Sequence, residues 1–298
     1  MANSRLTMQA RELYRAEENV IAGLRQHYSD PSQAAEIVET SYDLQSGSYT
    51  RLYDEDAEYR NTSLALMQRV AGILSTHDIR SACEAGTGEA TKLAQLGQIA
   101  GPRVALSGFD ISLGRMLLAR KFLSRLNVEA ECFCADMNDI PLPDNSVEAV
   151  MTFGAVEPNR GKEAKILGEL SRVASKLLVL VEPDYDRGTP AQRARMDQHN
   201  YVQHLPQHLE KLPGKLLLSE PLDLFRTETH LYQLLVFEKS PARAAGGFEL
   251  VSPVNRRPLQ KMGDYFYCRD ESLLYPAPFG IPVMKEDCAV ICSNADQV

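Results

Sequence analysis

Long apolar runs are missing from this 298-residue chain. The longest, such as that at 177–181, extend for about five residues, against the roughly 20 that a membrane-spanning helix requires. Basic charge is in deficit as well: 32 Lys+Arg against 40 Asp+Glu leave a formal charge of −8 and an isoelectric point near 5.4. An acidic chain has no long-range attraction to phosphate backbones and shows no local basic patch, so nucleic acid is not an expected partner. An apolar signal-peptide core is also lacking after Met1-Ala2-Asn3-Ser4-Arg5, which points to the cytoplasm. Cysteine is sparse, and Cys83, Cys132, Cys134, Cys268, Cys288 and Cys292 are scattered as reduced thiols would be. His199, His204 and His208 promise no metal site. Pro206 interrupts the helical face that the spacing of His204 and His208 would need, and no paired Cys or Asp set completes the ligands. What is present, 44% hydrophobic and 24% charged residues, is the composition of a globular protein with one large or two modest domains.

Apolar residues at helical spacing (Leu6, Ala10, Leu13, Val20, Ile21 and Leu24, then Leu64, Met67, Val70 and Ile73) predict two amphipathic helices. Between them, the polar segment Ser41-Tyr42-Asp43-Leu44-Gln45-Ser46-Gly47-Ser48-Tyr49 reads as a lid or binding loop, with Gly47 free to take an unusual backbone angle. From residue 79 the pattern becomes strands alternating with helices, the mark of a parallel sheet covered on both faces. Strands are expected at 79–84, 104–110, 130–135, 149–153, 177–182, 215–219 and 230–238. Helices are expected at 90–96, 115–125 and 162–173, with a longer helical insert at 189–211 broken by Pro206. The small-residue stretch 240–247 suggests a boundary, so the organisation expected is 1–76, 77–240 and 248–298.

The chemistry sits after the first strand of that series, in Glu84-Ala85-Gly86-Thr87-Gly88-Glu89-Ala90. Glycines at 86 and 88 let the turn approach a ligand closely, and the helix start offers backbone N–H groups. The dinucleotide fingerprint would require glycine where Thr91 stands, which argues against NAD. With the acidic residue before the glycines, the chain resembles the class I S-adenosylmethionine-dependent methyltransferases over about 79–238. The resemblance implies an α/β, Rossmann-like seven-stranded sheet with a helical N-terminal lid and S-adenosylmethionine as cofactor. It places Glu84, Gly86, Thr87 and Gly88 in the first cofactor motif and Asp110, followed by Ile111, on the ribose hydroxyls. It places Asp136, followed by Met137, on the adenine amino group, and Tyr49, with Tyr42 and Gln45, in a covering segment.

Strands four and five end in Glu157-Pro158-Asn159 and Glu182-Pro183-Asp184, which in this fold face the transferred methyl group. Methylation aligns a nucleophile and, for a cationic nitrogen, removes its proton, so Glu157 is the candidate base. The site resembles the Asp/Asn-Pro-Pro-aromatic motif of amino methyltransferases, without the aromatic. It also resembles the paired glutamates of protein arginine methyltransferases, with Glu182 or Asp184 as second member and Tyr42, Gln45 and Asn159 lining the acceptor. A carboxylate pair suits a guanidinium. The expectation is N-methylation of a small guanidino or amino compound such as arginine. The alternatives are an O-methyltransferase for a sugar or secondary metabolite, a tRNA or protein methyltransferase, and a non-catalytic cofactor-binding module.

The tail, from Leu250-Val251-Ser252-Pro253-Val254-Asn255 to Gly280-Ile281-Pro282-Val283-Met284, resembles the zinc-ribbon-like activator subunit of several tRNA and protein methyltransferases. A small C-terminal α+β domain follows from that. In zinc-binding members a C-P-x-C pair stands where this chain has Ser252 and Asn255, leaving only Cys268, so a metal-free brace or a homodimer interface is expected.

Overall fold

The computed structural model of the protein describes residues 4–28, 30, 33–240, 247–293 and 295, so most of the expected boundary at 240–247 lies outside the described residues. Five helices come first: α1 (Ser4–Arg15), α2 (Val20–His27), α3 (Ala34–Leu44), α4 (Ser48–Glu55) and α5 (Ala57–Thr76). The first predicted helix is thus two. Glu17 takes φ 57 between them, and Asn19 starts α2 by accepting the Ala22 N–H at 3.0 Å. Leu6, Ala10, Val20, Leu24 and Ile37 give α1 to α3 a small core of their own. The segment expected as a loop is mostly helical, since Tyr42 belongs to α3 and Tyr49 to α4. Only the turn at Gly47, with φ 97, departs from helix.

The alternation that follows is β1 (Ser81–Ala85), α6 (Thr91–Ala100), β2 (Ala105–Asp110), α7 (Leu113–Arg125), β3 (Glu131–Ala135), β4 (Val147–Phe153), α8 (Glu163–Val173) and β5 (Ala174–Pro183). Then come α9 (Pro190–Gln198), α10 (Leu205–Leu209), β6 (Gly214–Leu222) and β7 (Tyr232–Lys239). The expected insert at 189–211 is therefore two helices, and Pro206 does not break it. Pro206 sits in the first turn of α10, where its missing N–H has no helical partner to lose, and the break falls before it, at His204 with φ 54.

Sheet order is β3-β2-β1-β4-β5-β7-β6, with the first five strands parallel and β7 antiparallel to both neighbours. The apolar run in β5 shows why the sheet needs cover on both sides. Leu177, Val179 and Val181 pack into one core, while Leu178 and Leu180 pack into the other. Strands run outward from β1 on one side and from β4 on the other, so the crevice beyond their C-terminal ends is where this topology holds ligands.

The tail contributes β8 (Gln260–Met262), β9 (Tyr265–Cys268), β10 (Leu273–Pro276), β11 (Val283–Met284) and β12 (Val290–Ile291). Four of these form a separate antiparallel sheet, β12-β10-β9-β8, whereas β11 pairs in parallel with β3 and extends the main sheet to eight strands. Around Ser252, side chains bond to one another. The Ser252 hydroxyl donates to Glu271 Oε1 at 2.7 Å and accepts the Val254 N–H at 3.1 Å, and the Tyr275 hydroxyl donates to Glu271 Oε2 at 3.1 Å. No helix among the described residues is long and apolar enough to cross a membrane.

Candidate functional site

A cavity opens at the C-terminal ends of β1, β2, β3 and β4. Its floor is the turn after β1, where Gly86 (φ 73) and Gly88 (φ 57) take left-handed angles, and the Gly86 and Thr87 N–H groups donate to Phe109 O at 2.8 and 2.9 Å. A Cβ on Gly86 would lie 2.3 Å from that of Ala155, so the β1 turn and the β4 turn touch only because residue 86 has no side chain.

Three acids ring this floor, each at a strand end. Glu84 is buried and accepts the Thr87 hydroxyl at 3.0 Å, and burial pushes its carboxyl up to about 8 despite opposing help from Lys92 and Thr87. Asp110 takes the Gly88 N–H on Oδ2 at 3.0 Å and the Ser112 N–H on Oδ1 at 2.9 Å, and burial raises it too. Asp136 accepts the Asn138 N–H at 2.8 Å and lines the cavity with Ile111 and Met137. The cavity brings together every expected cofactor residue: Glu84, Gly86, Thr87, Gly88, Asp110, Ile111, Asp136, Met137 and Tyr49.

Two buried residues that sequence reasoning missed hold the lid. Glu89 accepts the Gly47 N–H on Oε1 at 2.9 Å and the Thr50 N–H on Oε2 at 2.7 Å, placing a carboxylate at the N-terminus of α4. Arg115 is 1% exposed and faces Glu89 at 3.8 Å. Its Nε donates to Tyr42 O at 2.9 Å, and its guanidinium lies 5.1 Å from the Tyr42 ring centroid and 4.8 Å from that of Tyr49. Its Nη2 is buried without a hydrogen-bond partner among the described residues, and the residue lines the cavity. Glu89 directly follows the glycine turn and Arg115 follows the Asp110 strand end, but neither position carries a signal that separates it from a surface charge.

Tyr42, Tyr49 and Pro158 are shared with a second, more open cavity, which is also lined by Gln45 and Glu157. Glu157 lines the second cavity but not the first, is partly buried, and accepts the Tyr232 hydroxyl on Oε2 at 3.0 Å. Burial pushes its carboxyl up to about 7, against the pull of Tyr232, Arg195 and Tyr201. Glu182 and Asp184, expected beside it as a clamp, line neither cavity. Glu182 is fully buried and accepts three successive backbone N–H groups, those of Ala155, Val156 and Glu157, at 3.1, 3.2 and 3.1 Å. Burial and then the Glu157 charge push its carboxyl up, while those donors favour its ionised form. Asp184 is held by Arg187, whose Nε donates to Oδ2 at 2.6 Å. Glu182 thus fixes the turn that presents Glu157, and Asp184 fixes the following loop. Asn159, expected at the acceptor, lines the first cavity instead and donates to Val156 O at 3.3 Å.

Residues 82–176 match the family model described as a methyltransferase domain. Among solved structures, magnesium protoporphyrin IX methyltransferase from Synechocystis PCC 6803 with bound SAH is 14% identical. It covers 69% of this chain and 99% of that one, with a TM-score of 0.55. The same enzyme with bound SAM is 14% identical, covering 70% and 97%, with a TM-score of 0.53. No curated protein matches the chain significantly in sequence. The matched segment runs through the glycine turn, the acid-tipped strands and β4, and the fold is that of these methyltransferase structures.

Proposed function

We propose that the protein transfers a methyl group from S-adenosylmethionine to the nitrogen of a small amino or guanidino compound. The first cavity suits that cofactor. Gly86 lets the β1 and β4 turns close against each other beneath it, the acids at 84, 110 and 136 present oxygens to amine and hydroxyl groups, and Arg115 holds a spare donor. Glu84, Gly86, Thr87 and Gly88 would hold the amino acid part, Asp110 with Ile111 the ribose, and Asp136 with Met137 the base, under Tyr49. The bound cofactor supplies an electrophilic methyl group on a sulfonium.

The observation that carries the acceptor reading is Glu157, a carboxyl raised to about 7 in the second cavity, next to Pro158, which lines both, with Tyr42, Tyr49, Tyr201 and Tyr232 around it. A carboxylate with aromatic faces close by favours a cation. Glu157 holds the acceptor nitrogen and takes the proton it sheds, Tyr232 orients Glu157, and Glu182 positions it. Loss of a general base costs about 10²–10⁴-fold, so Glu157→Gln is expected to lower turnover by that range with cofactor affinity held. Wild-type turnover should rise with pH through about 7, where this carboxyl ionises. Full activity in the variant would remove the role.

The three-part organisation supports this assignment. In it, 1–76 closes the site, 77–240 carries the chemistry and 248–298 braces it. The brace reading is supported by β11 on the edge of β3 and by Lys285, which pairs with Glu39 of α3 and donates to Ile111 O at 3.4 Å.

A further inference from the structure

The second cavity holds a cationic side chain that the acceptor chemistry above does not use. Arg25, on α2, lines it half-buried, and one guanidinium nitrogen donates to Pro158 O at 3.0 Å. That is its one hydrogen bond among the described residues, and no carboxylate there forms an ion pair with it. Burial lowers its pKa, and the charge that opposes this is that of Tyr42 rather than of an acid. Besides Glu157, the acids lining the cavity are Glu17 and Glu18, both exposed, as is the nearby Arg15. A half-desolvated guanidinium with most of its donors free is the arrangement that receives a carboxylate by paired hydrogen bonds.

Arg25 is anchored on the carbonyl of Pro158, the residue that follows Glu157, and both side chains line the second cavity, so a cationic and an anionic subsite open into one space. A ligand spanning them carries a nitrogen at Glu157 and a carboxylate at Arg25. Resting on the acceptor reading above, we infer that the methyl acceptor is a small zwitterion, an amino acid or a close relative, whose carboxylate is held by Arg25.

Matched pairs test this: arginine with agmatine, histidine with histamine and tyrosine with tyramine, each measured for methyl transfer and for binding to the protein loaded with S-adenosylhomocysteine. A fourth pair, 4-hydroxybenzoate with phenol, offers oxygen in place of nitrogen. A charged hydrogen-bonded contact corresponds to about 10–150-fold in affinity, so the acid of a pair that binds should exceed its decarboxylated partner by at least about tenfold. Arg25→Met should shrink that ratio toward one, mainly through KM, and Arg25→Lys should restore part of it. Equal binding of both members, or loss of both in equal measure in folded Arg25→Met, overturns the proposal. If only the hydroxy acid is bound and methylated, with the same dependence on Arg25, the carboxylate subsite stands and the nitrogen reading falls. No binding by any acid overturns the subsite directly.

Discussion

Glu84 should make cofactor binding release a proton. In the free protein, burial raises this carboxyl from an ordinary value of 4.5 to about 8. The folded state therefore binds a proton that the unfolded state has already given up. The stability this contributes is present in full below about pH 4.5 and is lost as pH rises through about 8, on the order of 5 kcal/mol at most at about 1.36 kcal/mol per pH unit. A positively charged ammonium or sulfonium brought against Glu84 favours the ionised form and drives the proton off. At about pH 6.5 nearly one proton should leave per cofactor bound, and affinity should tighten by up to about tenfold per pH unit until about pH 8. Calorimetric titration of S-adenosylmethionine in phosphate and in Tris reads this as a difference in apparent enthalpy, from the ionisation heats of the two buffers. Glu84→Gln should abolish that difference. Identical enthalpies in both buffers for the wild type, with binding intact, would refute the reasoning.

Gly86→Ala places a methyl group 2.3 Å from Ala155 Cβ at a φ of 73, so strain and overpacking together should cost roughly 2–5 kcal/mol and weaken cofactor binding, read by thermal unfolding and by titration. Glu182→Gln puts an amide NH₂ against at least one of three backbone N–H donors. A loss of roughly 1–3 kcal/mol in thermal unfolding is expected, with a fall in kcat larger than any change in cofactor affinity; unchanged stability and turnover would count against the positioning role. Lys285 is buried at 7% exposure, and although burial alone would lower its pKa, Glu39 keeps it raised. Lys285→Met therefore leaves Glu39 in a partly buried place without its partner, and cofactor dissociation should accelerate severalfold as α3 loosens, measurable by stopped-flow; an unaltered off-rate would argue against the brace.

Local patterns determined most of this fold. Alternating strands and helices, the glycine turn and the acids at strand ends follow from rules that act within about thirty residues, and so Glu84, Gly86, Gly88, Asp110 and Asp136 could be read off the chain before any packing was known. Helix breaks were less legible. Pro206 looks like an interruption, but a proline is harmless in a first turn, and whether it stands in a first turn is decided by His204 taking a left-handed angle. Roles that depend on which way a side chain turns came from tertiary structure alone. Glu157 and Glu182 look alike in sequence, each before a proline at a strand end. In space one faces a cavity, while the other is consumed by three amides of the neighbouring turn. Arg115 and Glu89 read as ordinary surface charges until α3 and α4 fold over them, and Arg25 lies 133 positions before the Pro158 carbonyl it donates to. Sequence spacing carries the period of a helix or strand. Desolvation, and the count of donors left for a carboxylate or guanidinium, arise only when distant segments meet, and these settle which charges are structural and which are free to meet a ligand.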